Sequence, residues 1–258
     1  MTIVAADELR RAVEAEELVL FYQPQVDMRS GIAVGVEACL RWKHPKRGLL
    51  HASAFVDAVP QAGLAREFMR WIIAAATRQM AEWRAAAVPL GRVSINTWPV
   101  SLTREIVSDV LSAVAAAGLD PSDIEVETPP EATYDPETLA IVSALRDAGI
   151  RTAFDDFGDG HIRFTWLRDA RFDVVKVPLT FVLGDVGPFD DAVVRSAIAF
   201  AHAIGAVVVA EGVETRGARD RVLGLGCDIG QGYWWSRVIP ADEIPRVLAA
   251  IRVDGAEG

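Results

Sequence analysis

The chain has 258 residues, 51% of them hydrophobic, with 26 Lys plus Arg against 36 Asp plus Glu and a formal net charge of −10. That apolar fraction excludes a disordered chain, and the acidic balance excludes a general nucleic-acid binder, which needs a basic face to displace counterions. The length fits one large domain, and about 250 residues is the usual size of a single (β/α)8 barrel. The two cysteines, Cys39 and Cys227, make no disulfide framework. Each lies in an apolar stretch and reads as a free buried thiol, which points to a reducing compartment. The charged N-terminus lacks the apolar core and cleavage pattern of a secretory signal. No run approaches the ~18–20 apolar residues of a membrane span, so a cytoplasmic protein is expected.

An amphipathic helix is expected at about residues 6–17, followed by the strand LVLFYQPQV and a turn at Met28–Gly31. The next strand, ending at Glu37, makes an antiparallel hairpin with the first, since a short turn cannot join parallel strands. A long loop is expected at Lys43–Gly48, then helical periodicity from Ser53 to Ala87 with a break near Ala62–Gly63. From Arg92 onward, short β-branched runs alternate with helical stretches, the pattern of parallel βαβ units. Gly118, Gly149, Gly205 and Gly226 stand where helices should stop. The expected organisation is a helix over residues 1–17 packed on a barrel over 18–252, with a loose tail at 253–258.

Polar residues recur where the apolar β-runs end. Glu37 closes IAVGVEA, Asn96 closes RVSIN, Glu127 closes DIEVE, and Asp155 and Asp156 close IRTAFDD. Lys176 closes FDVVK, Glu211 closes AVVVAE, and Gln231 sits in DIGQGYWW. In a (β/α)8 barrel such ends meet at the C-terminal face, where active sites lie. Carboxylates converging there repel one another unless cations sit among them. Taken singly, each position has an ordinary reading: Asn96 as a turn residue, Lys176 as a surface lysine, Asp155-Asp156 as a cap. The ordered set is what points to a metal-dependent barrel. The four histidines are scattered and read as surface or packing residues. Tyr233, Trp234 and Trp235 read as barrel packing.

Eight ordered landmarks resemble the EAL domain family of bacterial cyclic di-GMP phosphodiesterases: YQPQVD at 22–27, VEACLRW at 36–42, SIN at 94–96, EVET at 125–128, FDDFGDG at 154–160, VKV at 175–177, VAEGVET at 209–215 and GCDIGQGYWWSR at 226–237. The resemblance covers roughly residues 18–251. It implies a TIM-like (β/α)8 barrel of the α/β class with an antiparallel first strand. It implies that Glu37, Asn96, Glu127 and Asp155 hold one divalent metal, and that Asp156 and Glu211 complete a second site and orient the attacking water. Lys176 then holds that water or the phosphate, Gln231 supports the metal-bound network, and Gln23 and Arg41 make polar contacts near the ligand. The hard donor set favours Mg2+ or Mn2+, with a two-metal site allowed. Cyclic di-GMP is the implied ligand and pGpG the product; a homodimer and a regulatory protein partner are further implied associations.

The chain departs from the family around this set. Pro129 and Pro130 stand where the family has Thr and a second Glu, with Glu131 one residue later. Asp159, His161, Ile162 and Arg163 rewrite the loop after Asp155-Asp156, Pro178 replaces an Asp, and Val238 replaces a Pro. Pro60 and Gln61 replace acidic residues. Losing a residue that supports a metal ligand often costs ~10–100-fold in affinity or activity. The sequence therefore reads as a phosphodiesterase of reduced activity, with a catalytically inactive cyclic di-GMP receptor or a protein-interaction module as alternatives.

Overall fold

The structure, a computed structural model, describes residues 4–129, 135–158, 168 and 170–254. Helix α1 (Ala6–Glu14) buries Leu9 and Ala12. It stops short of the expected residue 17 because Glu16 turns left-handed, with φ 54°. Glu17 then becomes an anchor: its carboxylate accepts from Arg11 Nε at 3.2 Å and from Trp42 Nε1 at 2.8 Å.

Strands β1 (Leu18–Asp27) and β2 (Ala33–His44) form the expected antiparallel hairpin, with Gln23 opposite Glu37. Two expectations need correction here. Glu37 does not close its strand, and Lys43–Gly48 is not a long loop. Beyond Glu37, β2 stays bonded to β1 on one edge, from Cys39 to Trp42. On the other edge it takes β3 (Gly48–His51), which pairs with Arg41 to His44. With backbone partners on both sides, the strand has no reason to stop.

The remaining strands are β4 (Val93–Asn96), β5 (Ile124–Thr128), β6 (Arg151–Phe154), β7 (Val174–Val177), β8 (Val207–Ala210), β9 (Ile229–Gln231) and β10 (Ile239–Pro240). Strand β2 pairs parallel with β4, and parallel pairing then runs in order from β4 to β9. β9 returns to β1 antiparallel, with Gln25 opposite Gln231, and this closes an eight-stranded barrel. The architecture is the expected TIM-like barrel with an antiparallel first strand; β3 and β10 flank it.

Around the barrel stand α2 (Ala58–Gln61), α3 (Ala65–Ala85), α4 (Arg104–Ala117), α5 (Pro136–Asp147), α6 (Pro188–Ala203), α7 (Arg216–Leu225) and α8 (Ile244–Asp254). In α3 the buried residues Phe68, Met69, Ile72, Ile73, Ala76, Met80 and Trp83 recur at helical spacing, making the stripe that packs inward. Gly118, Gly149, Gly205 and Gly226 all have positive φ, so each helix stops where a left-handed residue ends it cheaply. The main core lies between strands and helices. A second, small core of Ala153, Val174, Val209 and Ile229 fills part of the barrel lumen.

Cys39 and Cys227 are free, the first half-buried and the second buried. Of the three aromatics read as packing, Trp235 packs against the core, but Tyr233 and Trp234 are 48% and 44% exposed. Gly230 explains the difference. It leaves its Cβ space to the Trp235 ring, which fills it, and the two preceding rings face outward. Pro130, Glu131, Asp159, His161, Ile162, Arg163 and the last four residues of the expected tail lie outside the described residues. Among the described residues no helix is long and apolar enough to cross a membrane.

Candidate active site

The barrel mouth is organised around one buried cation. Lys176, penultimate on β7 and 1% exposed, places its Nζ 2.6 Å from Glu211 Oε1 and 2.8 Å from Glu127 Oε2. Asp155 Oδ1 and Glu37 Oε2 each lie 3.4 Å away. These carboxylates come from β2, β5 and the residues just after β6 and β8, so the parallel topology brings them to one place. Burial works against the ammonium, but Asp155, Glu127, Glu211 and Glu37 outweigh it and hold the Lys176 pKa well above its ordinary value.

One ammonium cannot neutralise four carboxylates. The cluster answers by splitting their proton affinities. Burial raises Glu127 well above 4.5, with Glu37 and Asp155 adding to the rise against the pull of Lys176. Burial likewise raises Glu211, to about 8. Glu37 goes the other way. Burial pushes it up, but Lys176 and the amide donors of Gln231 and Asn96 overcome that and leave it below 4.5. Asn96 Nδ2 donates to Glu37 Oε1 at 2.7 Å, and Gln231 Nε2 donates to Glu37 Oε2 at 2.5 Å. Gln231 Nε2 also donates to Gln23 Oε1 at 3.1 Å, and Gln23 Nε2 donates to the Ser236 carbonyl.

The arrangement suits a divalent cation. One carboxylate oxygen each from Asp155, Asp156 and Glu211 lie within 4.8 Å of one another. Glu127 Oε1 is buried without a hydrogen-bond partner among the described residues, an acceptor left for a cation. Asn96, having given its N–H to Glu37, keeps its carbonyl oxygen for the same purpose. These are hard oxygen donors, of the kind Mg2+ and Mn2+ take. Asp156 reaches its place through a left-handed backbone, φ 50°, which Asp tolerates better than most residues. Because Glu211 holds its proton up to about 8, proton and metal compete there. Calorimetric Mn2+ affinity is expected to climb with pH from 6.5 toward 8, by about tenfold per pH unit for the Glu211 proton alone. An affinity constant across pH 6.5–9 would show that Glu211 does not compete.

A cleft of about 610 Å³ opens beside Glu37 and Asn96 and runs outward over Cys39, Arg41, Pro60 and Trp98. Arg41 is 7% exposed along this wall, with Nη1 bonded to its neighbour's carbonyl and its guanidinium 5.9 Å from the Phe21 ring centroid. Pro60, Gln61 and Pro129, three of the departures from the family pattern, also line the cleft. The structure therefore gathers Glu37, Asn96, Glu127, Asp155, Asp156, Lys176, Glu211, Gln231 and Gln23 at the mouth and sets Arg41 along the cleft.

Four buried polar residues beneath the mouth escaped the sequence reading: Gln25, Ser94, Arg92 and Glu125. Their signal was present. Gln23 and Gln25, Ser94 and Asn96, and Glu125 and Glu127 are each two apart on one strand, so they share the face toward the lumen. Attention to strand ends alone passed over the second polar layer.

A family model for the EAL domain matches residues 6–238. The cyclic di-GMP phosphodiesterase NbdA of Pseudomonas aeruginosa is 31% identical over 254 residues, covering 97% of this chain and 32% of NbdA. The bifunctional diguanylate cyclase/cyclic di-GMP phosphodiesterase MucR of the same organism is 32% identical over 241 residues, covering 92% of this chain and 35% of MucR. The chain thus spans about a third of the length of these curated relatives. Among solved structures, the PaMucR phosphodiesterase in complex with c-di-GMP matches with a TM-score of 0.87 at 30% identity, over 92% of this chain and 98% of that one. The EAL domain of Mycobacterium smegmatis DcpA matches with a TM-score of 0.77 at 32% identity, over 91% of this chain and 99% of that one. The match spans nearly the whole barrel with its reversed first strand: the chain belongs to the EAL domain family.

Proposed function

We propose that this chain is a metal-dependent phosphodiesterase module that takes cyclic di-GMP and opens it to pGpG at a reduced rate. The observation that carries the reading is the ring of Glu37, Glu127, Asp155 and Glu211 around Lys176 beside an open cleft. A cleft of about 610 Å³ lies within the ~300–1,000 Å³ typical of small-ligand sites. NbdA and MucR bear the phosphodiesterase name, and PaMucR was solved with c-di-GMP. The working unit is the barrel of residues 18–252 with the N-terminal helix against it, acting on a cytoplasmic nucleotide.

Glu37, Asn96, Glu127 and Asp155 would hold one divalent ion, and Asp155, Asp156 and Glu211 a second. When bound, Mg2+ or Mn2+ supplies Lewis acidity to the phosphoryl oxygens and acidifies the attacking water. The chain's own groups do the rest. Lys176 stays protonated, so it donates to the water or a phosphoryl oxygen and does not act as a base. Asp156 and Glu211 accept from the water and fix its direction. Arg41 offers a guanidinium to an anionic edge in the cleft. Pro60, Gln61, Pro129 and Pro178 supply no carboxylate where the family has supporting polar groups, and that is the reason for the reduced rate.

The test is incubation of purified protein with cyclic di-GMP and Mn2+ or Mg2+, with products separated by chromatography. Metal-dependent pGpG is expected, falling at least about 100-fold in Glu37→Gln, which keeps the side chain's shape and loses its charge. Tight nucleotide binding without pGpG would instead establish the receptor reading.

A further inference from the structure

Beneath the mouth, the barrel lumen carries an unbroken chain of polar side chains that ends on Glu37. It starts at Glu125, fully buried on β5, whose Oε2 lies 2.8 Å from Arg92 Nε and 3.2 Å from Arg151 Nε. Arg92 Nη2 donates to Gln25 Oε1 at 3.1 Å. Gln25 Nε2 donates to Gln231 Oε1 at 3.1 Å and to Ser94 Oγ at 3.2 Å. Gln231 Nε2 then donates to Glu37 Oε2 at 2.5 Å. None of these residues except Gln231 and Glu37 enters the reaction as read above.

The direction of this chain is not free. A primary amide presents an acceptor on one side and donors on the other, and rotating it exchanges the two. A guanidinium has donors only, so the end of Gln25 facing Arg92 must be the oxygen. Its NH2 then faces Gln231, which must answer with oxygen, so the Gln231 NH2 faces Glu37. The fixed charge at the base of the lumen thereby turns a donor toward Glu37, in the same sense as Gln23, whose oxygen accepts from Gln231 Nε2 while its own amide donates to the Ser236 carbonyl. Space for the arrangement is reserved at Gly35, where a Cβ would lie 2.9 Å from Arg92 Cγ and 3.2 Å from Gln25 Oε1.

We propose that Gln25 and Arg92 are positioning residues that set the amide orientation of Gln231 and thereby hold the Glu37 carboxylate in place as a metal ligand. The inference rests on the phosphodiesterase reading of the site, since it assigns Glu37 to a metal.

Gln25→Glu tests it because orientation and ordinary structure predict opposite results. A glutamate keeps nearly the same shape and adds an ion pair with Arg92, so a merely structural role makes it milder than Gln25→Leu. Its negative charge would also, by electrostatics alone, strengthen cation binding. If orientation governs, both carboxylate oxygens accept, Gln231 turns its NH2 toward position 25, and its oxygen confronts Glu37. Mn2+ affinity, measured by calorimetry on the full chain without nucleotide, is expected to fall about 10–100-fold in Gln25→Glu and by less in Gln25→Leu. Thermal melting establishes that each variant is folded. If Gln25→Glu gives no cooperative melt, Arg92→Lys and Arg92→Met decide the matter. Lysine keeps a donor-only cation and is expected to retain more affinity than methionine. Wild-type affinity in Gln25→Glu, a larger loss in Gln25→Leu, or equal losses in the two Arg92 variants would overturn the inference alone. Absence of Mn2+ binding in the wild type would overturn the reading of the site itself, and this inference with it.

Discussion

Lys176→Met is expected to lower the metal-free stability of the fold by about 3–5 kcal/mol, the usual cost of stripping one partner from a buried ionic cluster. The lysine is 1% exposed and faces Glu37, Glu127, Asp155 and Glu211 within 3.4 Å. Without its charge, the carboxylates of the cluster that are ionised, Glu37 foremost, have no counterion between them in a water-poor barrel mouth. They must then take up protons or disperse the fold around them. A divalent ion that binds the folded mouth and not the unfolded chain would restore part of the loss by mass action. Thermal melts of wild type and variant in EDTA and in excess Mn2+ read this directly. The gap between the two proteins is expected to be wide in EDTA and narrower in Mn2+. On the proposed function, turnover is expected not to recover with stability, because methionine has no N–H to offer the water or the phosphate. Equal melting temperatures in EDTA would show that the carboxylates are neutral without help from Lys176.

How much of this was legible beforehand follows from what a sequence displays. The parallel half of the barrel is written in short β-branched runs separated by amphipathic helices, four of them closed by Gly118, Gly149, Gly205 and Gly226. The strand-end residues Asn96, Glu127, Asp155, Lys176 and Glu211 are visible because a polar residue at the end of an apolar run is conspicuous. Glu37 was found for the wrong structural reason: it lies inside β2, which β1 and β3 sustain as far as His44. That extension comes from backbone pairing across the sheet, and no local pattern announces it. The layer of Gln25, Arg92 and Glu125 was missed because each residue looks ordinary alone. It becomes a layer only once closure of the barrel brings β1, β4, β5 and β9 around one lumen. The outward turn of Tyr233 and Trp234 was equally hidden, because it depends on Trp235 claiming the space above Gly230.

Glu127→Gln is expected to separate stability from function at a single atom. Glu127 is 1% exposed, its Oε2 accepts from Lys176 at 2.8 Å, and its Oε1 is buried without a hydrogen-bond partner among the described residues. Burial, then the neighbouring carboxylates, holds its pKa well above 4.5. In the unfolded chain the same group ionises near 4.5, so above that pH the folded state binds the extra proton. By linkage, stability falls as pH rises from there until the folded group also ionises. Glutamine does not titrate and keeps an oxygen for Lys176, so it removes that loss. The metal-free variant is expected to be more stable than wild type by about 1–3 kcal/mol near neutral pH, the range for relieving an unmatched buried polar group. The difference should vanish below about pH 4.5 and grow above it. Metal binding and pGpG formation are expected to be lost together, since the oxygen left for the cation is the one replaced. Melting curves in EDTA at pH 4.5, 6 and 7.5, set beside Mn2+ calorimetry, test both halves. A destabilised variant at pH 7.5 would mean that the Glu127 charge is needed by Lys176 more than it is resented by Glu37 and Asp155. A stabilised variant that still binds Mn2+ would move the first metal away from Glu127. Stabilisation with loss of metal would identify the mouth as a place where the fold carries strain that a bound cation relieves.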